Sequence, residues 1–244
     1  MQAKGQEKIR INKYLAMSGI CSRRDADKLI EQGIVTINGR IAGMGDRVGE
    51  TDTVLVGKKE ARTEKKRVVL AFYKPQGVVC TEKDRHAEKI IMDMVKYPVR
   101  VTYAGRLDKD SEGLLLLTND GELIQTMMKG SAGHEKEYIV KTDKEVTPEF
   151  LKKMETGVYL EELGITTKPC KTWQDGKFTF HIVLTQGVNR QIRRMCKAFG
   201  YEVRHLKRIR VMNIVLGNLH AGQFRELTEE ELALLYDKCG LKRQ

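Results

Sequence analysis

The 244-residue sequence predicts an α+β protein: a small basic N-terminal module, then a larger domain with a mixed, mainly antiparallel sheet flanked by helices. Three observations lead there. Strand-like and helix-like stretches alternate irregularly, with no repeating βαβ unit and no nucleotide-binding glycine loop. Four consecutive leucines, Leu114 to Leu117, stand between turn residues, the signature of a short strand buried on both faces. Charge is concentrated at the N-terminus: residues 1–66 carry 14 Lys/Arg against 9 Asp/Glu, a net +5, while the other 178 carry 30 against 24.

The elements follow in order. Ile9 to Ala16 reads as a short helix with Ile11, Tyr14 and Leu15 on one face. Ser22 with Asp25 three residues on is close to a capping box, and the helix it opens stops before Gly33. Ile34, Val35 and Ile37 form a strand, Asn38-Gly39 a hairpin turn, and Val54 to Val56 a closing strand. Residues 57–67 are charged and nearly free of large apolar side chains, so they read as a linker. The expected division is 1–56, linker 57–67, and 68–244.

Val68 to Tyr73 is strand-like, Pro75 and Gly77 force a turn, and Val78 to Thr81 is expected to resume the sheet. Ile90 to Val95 fits a helix, and Val99 to Tyr103 a strand running into Gly105-Arg106-Leu107-Asp108. Asp120 fits the cap of a helix through Leu123 to Met128. Tyr138 to Val140 is a strand. Thr147-Pro148 starts a helix that Gly157 ends. Phe178 to Leu184 alternates as a half-buried strand, Gln191 to Phe199 is helical, and Thr228 with Glu231 caps the last helix.

Composition narrows the function. A net charge of +11 favours a polyanionic partner, because surface cations draw phosphate backbones and release their counterions. Cys21, Cys80, Cys170, Cys196 and Cys239 are scattered and odd in number, which supports neither a zinc site nor a disulfide framework. The first ten residues are polar and no apolar run approaches the ~20 residues of a membrane helix, so the cytoplasm is the expected compartment.

Two stretches could carry chemistry. Asp108 lies in a glycine-bounded turn at the mouth of the leucine strand, beside Arg106, which places one carboxylate rigidly in a cleft. In Gln191 to Phe199, Ile192, Met195, Cys196 and Phe199 make one apolar face, while Arg190/Arg194 and Arg193/Lys197 are like-charge pairs four apart. Each such pair costs a helix roughly 0.2–0.5 kcal/mol, so the sequence keeps a repulsion that suits phosphate or a distant carboxylate. Asp108-Lys109-Asp110 also fits the Asp-x-Asp of metal-dependent sugar transferases, but no further ligand is identifiable. A glycosidase would need a second carboxylate at a defined separation, and nothing singles one out.

Five segments in order resemble a known family. Asn12-Lys13-Tyr14-Leu15 with Ser22-Arg23-Arg24-Asp25-Ala26 resembles an S4 module. Lys74-Pro75-Gln76-Gly77, Gly105-Arg106-Leu107-Asp108, Lys136-Glu137-Tyr138 and Gly187 to Met195 resemble the motifs of the pseudouridine synthases, in the branch that modifies ribosomal RNA. His134 to Tyr138 with Arg208 to Ile214 is most similar to the 23S rRNA enzymes of the F type. The resemblance implies base flipping, cleavage of the C1′–N1 bond and rejoining through C5, without metal or cofactor. It implies catalytic roles for Asp108, for Tyr138 as a stacking ring, and for Arg193 as the partner of Asp108. RNA contacts are expected from Arg10, Lys13, Arg23, Arg24 and Lys28 in the module, and from Lys74, Arg106, Arg190, Gln191 and Arg194 in the larger domain. The expected partner is structured ribosomal RNA, bound by a monomer. A non-catalytic RNA-binding or ribosome-assembly protein, and the same enzyme acting on 16S rRNA or tRNA, are the alternatives.

Overall fold

The computed structural model describes residues 8–63, 66–81, 90–129 and 133–242. Its contacts divide the chain into two compact units: residues 1–68 with 97–101 and 119–121, and the remainder. Among the described residues, no helix is long and apolar enough to cross a membrane.

In the first unit, β1 (Ile9–Arg10) leads into α1 (Ile11–Met17) and α2 (Arg23–Glu31). Ser22 caps α2 as expected, its hydroxyl accepting from the Asp25 amide at 3.2 Å. The strands are β2 (Val35–Ile37), β3 (Arg40–Ile41), β4 (Arg47–Val48), β5 (Val54–Val56) and β6 (Lys59–Glu60). Asn38 and Gly39 have φ of 51° and 83°, the left-handed pair of a type I′ hairpin turn. Ile11, Leu15, Ala26, Ile30, Val35 and Val54 form the core. The segment expected as linker starts inside this unit. β6 pairs with β5 and Ala61 is buried, because a turn at Gly57 returns the chain antiparallel. Residues 97–101 and 119–121 also join this unit: Arg100 donates to the Cys21 carbonyl at 3.0 Å, and Asn119 accepts from the Val68 amide at 2.9 Å.

The second unit is built on β7 (Val69–Lys74), β8 (Thr102–Tyr103), β9 (Glu112–Thr118), β10 (Lys136–Thr142), β13 (Lys171–Gly176), β14 (Thr179–Leu184), β15 (Val203–Val211), β16 (Ile214–Val215) and β17 (Phe224–Glu226). A separate hairpin, β11 (Tyr159–Leu160) with β12 (Ile165–Thr166), carries a 3-10 turn at Glu161–Leu163. The nine-stranded sheet runs β13-β14-β10-β15-β9-β7-β17, with β16 on β15 and β8 on β9. Every pairing is antiparallel except β15 with β9, where Lys207 meets Glu112 and Arg208 meets Gly113. The mixed, mainly antiparallel sheet is as predicted.

Helices α4 (Gly121–Met128) and α7 (Glu229–Lys238) bury Leu123, Met127, Leu235 and Tyr236 against Ala71, Leu114 and Leu116. Helices α5 (Pro148–Glu155) and α6 (Gln191–Ala198) bury Phe150, Met154, Ile192 and Met195 against Val140, Phe180 and Ile182. The four leucines of β9 are each at most 1% exposed, so this strand is covered on both faces. α3 (Ile91–Met94) is a single turn, shorter than the helix expected. Val78 to Thr81 does not rejoin the sheet: only Val79 makes a bridge, to Ile90. Charged residues interrupt the apolar positions of β15, so its sequence carries no clean strand alternation.

Gly113 makes the parallel junction possible. Its φ is 107°, and a Cβ there would lie 2.2 Å from the Arg208 carbonyl oxygen, backbone that cannot swing aside. Gly113→Ala should therefore destabilise the protein by about 3 kcal/mol or more, read as a lower denaturation midpoint in urea.

Candidate active site

The turn that carries Asp108 is tied down on several sides. The Ser111 amide donates to the Asp108 carbonyl at 3.1 Å, closing the turn, and Gly105 enters it at φ 92°. The Leu107 amide donates to Cys80 Sγ at 3.3 Å, and the Gly77 amide to the Lys109 carbonyl at 2.7 Å. Beneath it all lies Lys74, fully buried at the end of β7. Its Nζ donates to the carbonyls of Ser111 at 2.6 Å and Pro75 at 2.9 Å, with Lys109 at 3.5 Å. Burial lowers the Lys74 pKa, and the nearby Cys80, Asp108, Asp110 and Glu112 oppose the shift. The expectation of an RNA contact at Lys74 is corrected: an ammonium with no exposed surface cannot reach phosphate, and this one holds the Asp108 turn instead.

Above the turn opens a cleft of about 490 Å³, into which Asp108, Tyr138, Arg106, Arg190 and Arg208 all face. Among the described residues, the Asp108 carboxylate makes no hydrogen bond or ion pair, and it is only partly buried. A carboxylate fixed through its backbone and left open through its side chain is free to act on a bound molecule. Tyr138, on β10, is half-buried and faces the same cleft, with its hydroxyl unbonded among the described residues. A flat ring beside a free carboxylate can receive a base lifted out of its stack.

The arginine helix is arranged differently from expectation. Arg193 pairs with Asp110, not Asp108. Its Nη2 donates to the Asp110 carbonyl at 3.0 Å, and its Nε lies 3.3 Å from Asp110 Oδ2, aligned for attraction rather than for a hydrogen bond. Arg193 Nη1 also donates to the Val203 carbonyl at 3.1 Å. Arg190 grips Asp110 with both Nη atoms, at 3.2 and 3.0 Å. Burial pushes the Asp110 carboxyl up, but the Arg190 hydrogen bond and the charges of Arg193 and Arg190 outweigh it and hold it below its ordinary value. Two residues on from Asp108 in the same turn, Asp110 lies nearer the incoming helix, which is why the sequence pairing slipped by two.

Arg190 takes a left-handed conformation, φ 52°, at the start of α6. Its pair with Asp110 is roughly 40% exposed on both sides, so solvent screening leaves about 1 kcal/mol or less and a phosphate can compete for it. Arg194 is occupied: it donates to the Asn189 carbonyl and forms an ion pair with Glu162 of the 3-10 turn, which Lys197 joins at 3.0 Å. Glu162 is thus the distant carboxylate that offsets the helix's repulsion. Gln191 is 4% exposed and accepts from the Val188 amide at 3.1 Å, so it shapes the loop before α6 and is corrected from RNA contact to loop support. Arg106 is exposed on the rim.

In the first unit, Arg10, Lys13, Arg23, Arg24 and Lys28 are all exposed, and among the described residues none has an ion pair. They remain available to an anionic partner. Arg208 and Lys136 were given no role by the sequence reading. The usable signal was an arginine two residues from Leu206 in β15, at a position whose alternation points inward.

One open carboxylate, one ring and a basic rim around a single cleft suit an enzyme acting on a nucleotide base in RNA. Comparison with known proteins gives the same class. Residues 68–198 match the RNA pseudouridylate synthase family and residues 9–54 match the S4 domain; the chain belongs to the RNA pseudouridylate synthase family. It is 47% identical over 230 residues to the dual-specificity RNA pseudouridine synthase RluF of Escherichia coli, covering 93% of this chain and 78% of that protein. It is 39% identical over 233 residues to the ribosomal large subunit pseudouridine synthase B of Bacillus subtilis, covering 93% and 95%. A solved pseudouridylate synthase superposes with a TM-score of 0.69 at 28% identity, over 93% of this chain and 99% of that one.

Proposed function

We propose that this protein isomerises a specific uridine of ribosomal RNA to pseudouridine, with 23S rRNA as the substrate, as a cytoplasmic monomer. The open Asp108 carboxylate facing Tyr138 across one cleft carries the reading. The exposed cations of α1 and α2 take the RNA backbone through counterion release, and Arg106 and Arg190 hold phosphates at the cleft rim. The target base leaves its stack at a cost of a few kcal/mol, least in a loop or bulge. Tyr138 stacks on it and Asp108 acts at the ribose. The C1′–N1 bond breaks, C5 bonds to C1′, and the C5 proton is exchanged for one on N1, so atoms and electrons balance without a cofactor.

The test is carbodiimide mapping of pseudouridine in total rRNA and tRNA from cells lacking the gene. Loss of one 23S site, restored by wild-type protein and not by Asp108→Asn, is the expected result. Loss of a 16S or tRNA site moves the substrate. No change in any RNA overturns the enzyme in favour of a ribosome-assembly role.

A further inference from the structure

Arg208 is a buried arginine of the second unit for which the site described so far has no use. It is 3% exposed, and its Nε donates to the Leu114 carbonyl at 2.7 Å. Among the described residues, its two Nη groups have no hydrogen-bond or ion-pair partner, and Arg208 lines the cleft. Its cross-strand neighbour on β10 is Tyr138; Lys136, two residues along that strand, lines the same cleft, and its Nζ has only the His134 carbonyl, at 3.4 Å. No carboxylate among the described residues pairs with either one. Lys74 shows how this protein satisfies a buried cation when its role is structural, with three carbonyls at hand. A buried arginine with a half-buried lysine near it, and no acid for either, costs stability, and an anionic visitor is the simplest reason to keep them.

We propose that Arg208, with Lys136 near it, forms the cationic floor of the cleft and stabilises the uracil anion released when the C1′–N1 bond breaks. This rests on the pseudouridine synthase reading. When that bond breaks, its electron pair leaves with the base, whose negative charge spreads over N1, O2 and O4. When C5 attacks C1′, the pair enters the new bond, the C5 proton leaves and N1 takes one up. The same anion forms whether Asp108 adds to C1′ or removes a ribose proton, so the floor serves either route. Depth separates this role from phosphate binding: the strand backbone stays at the rim, where Arg106 and Arg190 stand, and only the extruded base reaches a guanidinium this buried. Donors set where charge develops act most strongly in a site that excludes water. Burial, together with the charge of Arg208, lowers the Lys136 pKa.

The full-length protein with Arg208→Gln and Arg208→Lys is assayed on transcribed 23S rRNA and on the same RNA made with 5-fluorouridine, whose base is the better leaving group. The single-turnover rate of C1′–N1 cleavage at saturating RNA, a step both RNAs share although fluorouridine has no C5 proton to lose, should fall about 10²–10³-fold in Arg208→Gln, as for loss of one oxyanion donor, and recover in part in Arg208→Lys. RNA affinity and its salt dependence should be unchanged, and the deficit should shrink at least about tenfold on fluorouridine RNA. An unchanged saturating rate with weaker binding and a salt slope smaller by about one makes Arg208 a phosphate anchor and overturns the proposal. An equal deficit on both RNAs with a lower Tm makes it a strand brace and does the same. Inactive wild-type protein on every RNA tested would overturn the enzyme reading itself, and this inference with it.

Discussion

Asp108→Asn should lower the rate of uridine isomerisation by more than about 10³-fold, the scale at which a nucleophile's removal is felt in other enzymes. RNA affinity should stay within a factor of about 2–3, and Tm should be unchanged. The reason lies in how the turn is held. Every contact that positions Asp108 is made by backbone or by neighbours: Ser111 to its carbonyl, Cys80 to Leu107, and Lys74 to the carbonyls beyond. Its carboxylate contributes nothing to that network among the described residues, so an isosteric amide leaves the turn in place. Filter binding and thermal denaturation beside the activity assay separate this from misfolding. A variant that keeps substantial turnover would remove Asp108 from the mechanism.

The second large effect is expected from Lys74→Met. The substitution fills similar volume but strips the donors from the Ser111 and Pro75 carbonyls, and a buried acceptor left without its donor costs about 1–3 kcal/mol. Removing a buried charge returns part of that by ending its desolvation, so the net loss in urea should be about 1–3 kcal/mol. Activity should fall further than stability explains. The turn loses its anchor, and displacement of a reacting group by about 1 Å is enough to cost 10²-fold. The loss should appear in kcat with little change in RNA affinity, since Lys74 has no exposed surface. Lost affinity with full kcat would instead place Lys74 against RNA.

Much of this is legible in the amino-acid sequence alone. Leu114 to Leu117 announced a doubly covered strand because a run without alternation has no solvent face. Ser22/Asp25 and Thr228/Glu231 announced helix starts because capping needs only local chemistry, and both caps form. The apolar stripe of Ile192, Met195 and Cys196 announced which side of α6 is core. Long-range facts were hidden. A lysine after five apolar strand residues looks like a surface terminus, and only the returning turn supplies the carbonyls that let Lys74 be buried. Arg193 sees two aspartates at equal chemical merit, and the turn's curvature alone decides for Asp110. β15 has the inward phase of a core strand, but its arginines mask that phase until β9 and β10 are seen on either side.

The single parallel junction has a kinetic consequence. β10, β13, β14 and β15 pair antiparallel, as do β7, β8 and β9, but Arg208 and Leu114 meet across 94 residues of chain, and β17 must return farther still to pair with β7. Closing so long a loop is the slow kind of step in folding, because its entropy is spent before its contacts form. The cleft spans that seam, with Asp108 on one side and Tyr138 on the other. The antiparallel pairs on either side can therefore form while the enzyme is still silent. During refolding, turnover reports the seam, whereas circular dichroism reports the pairs.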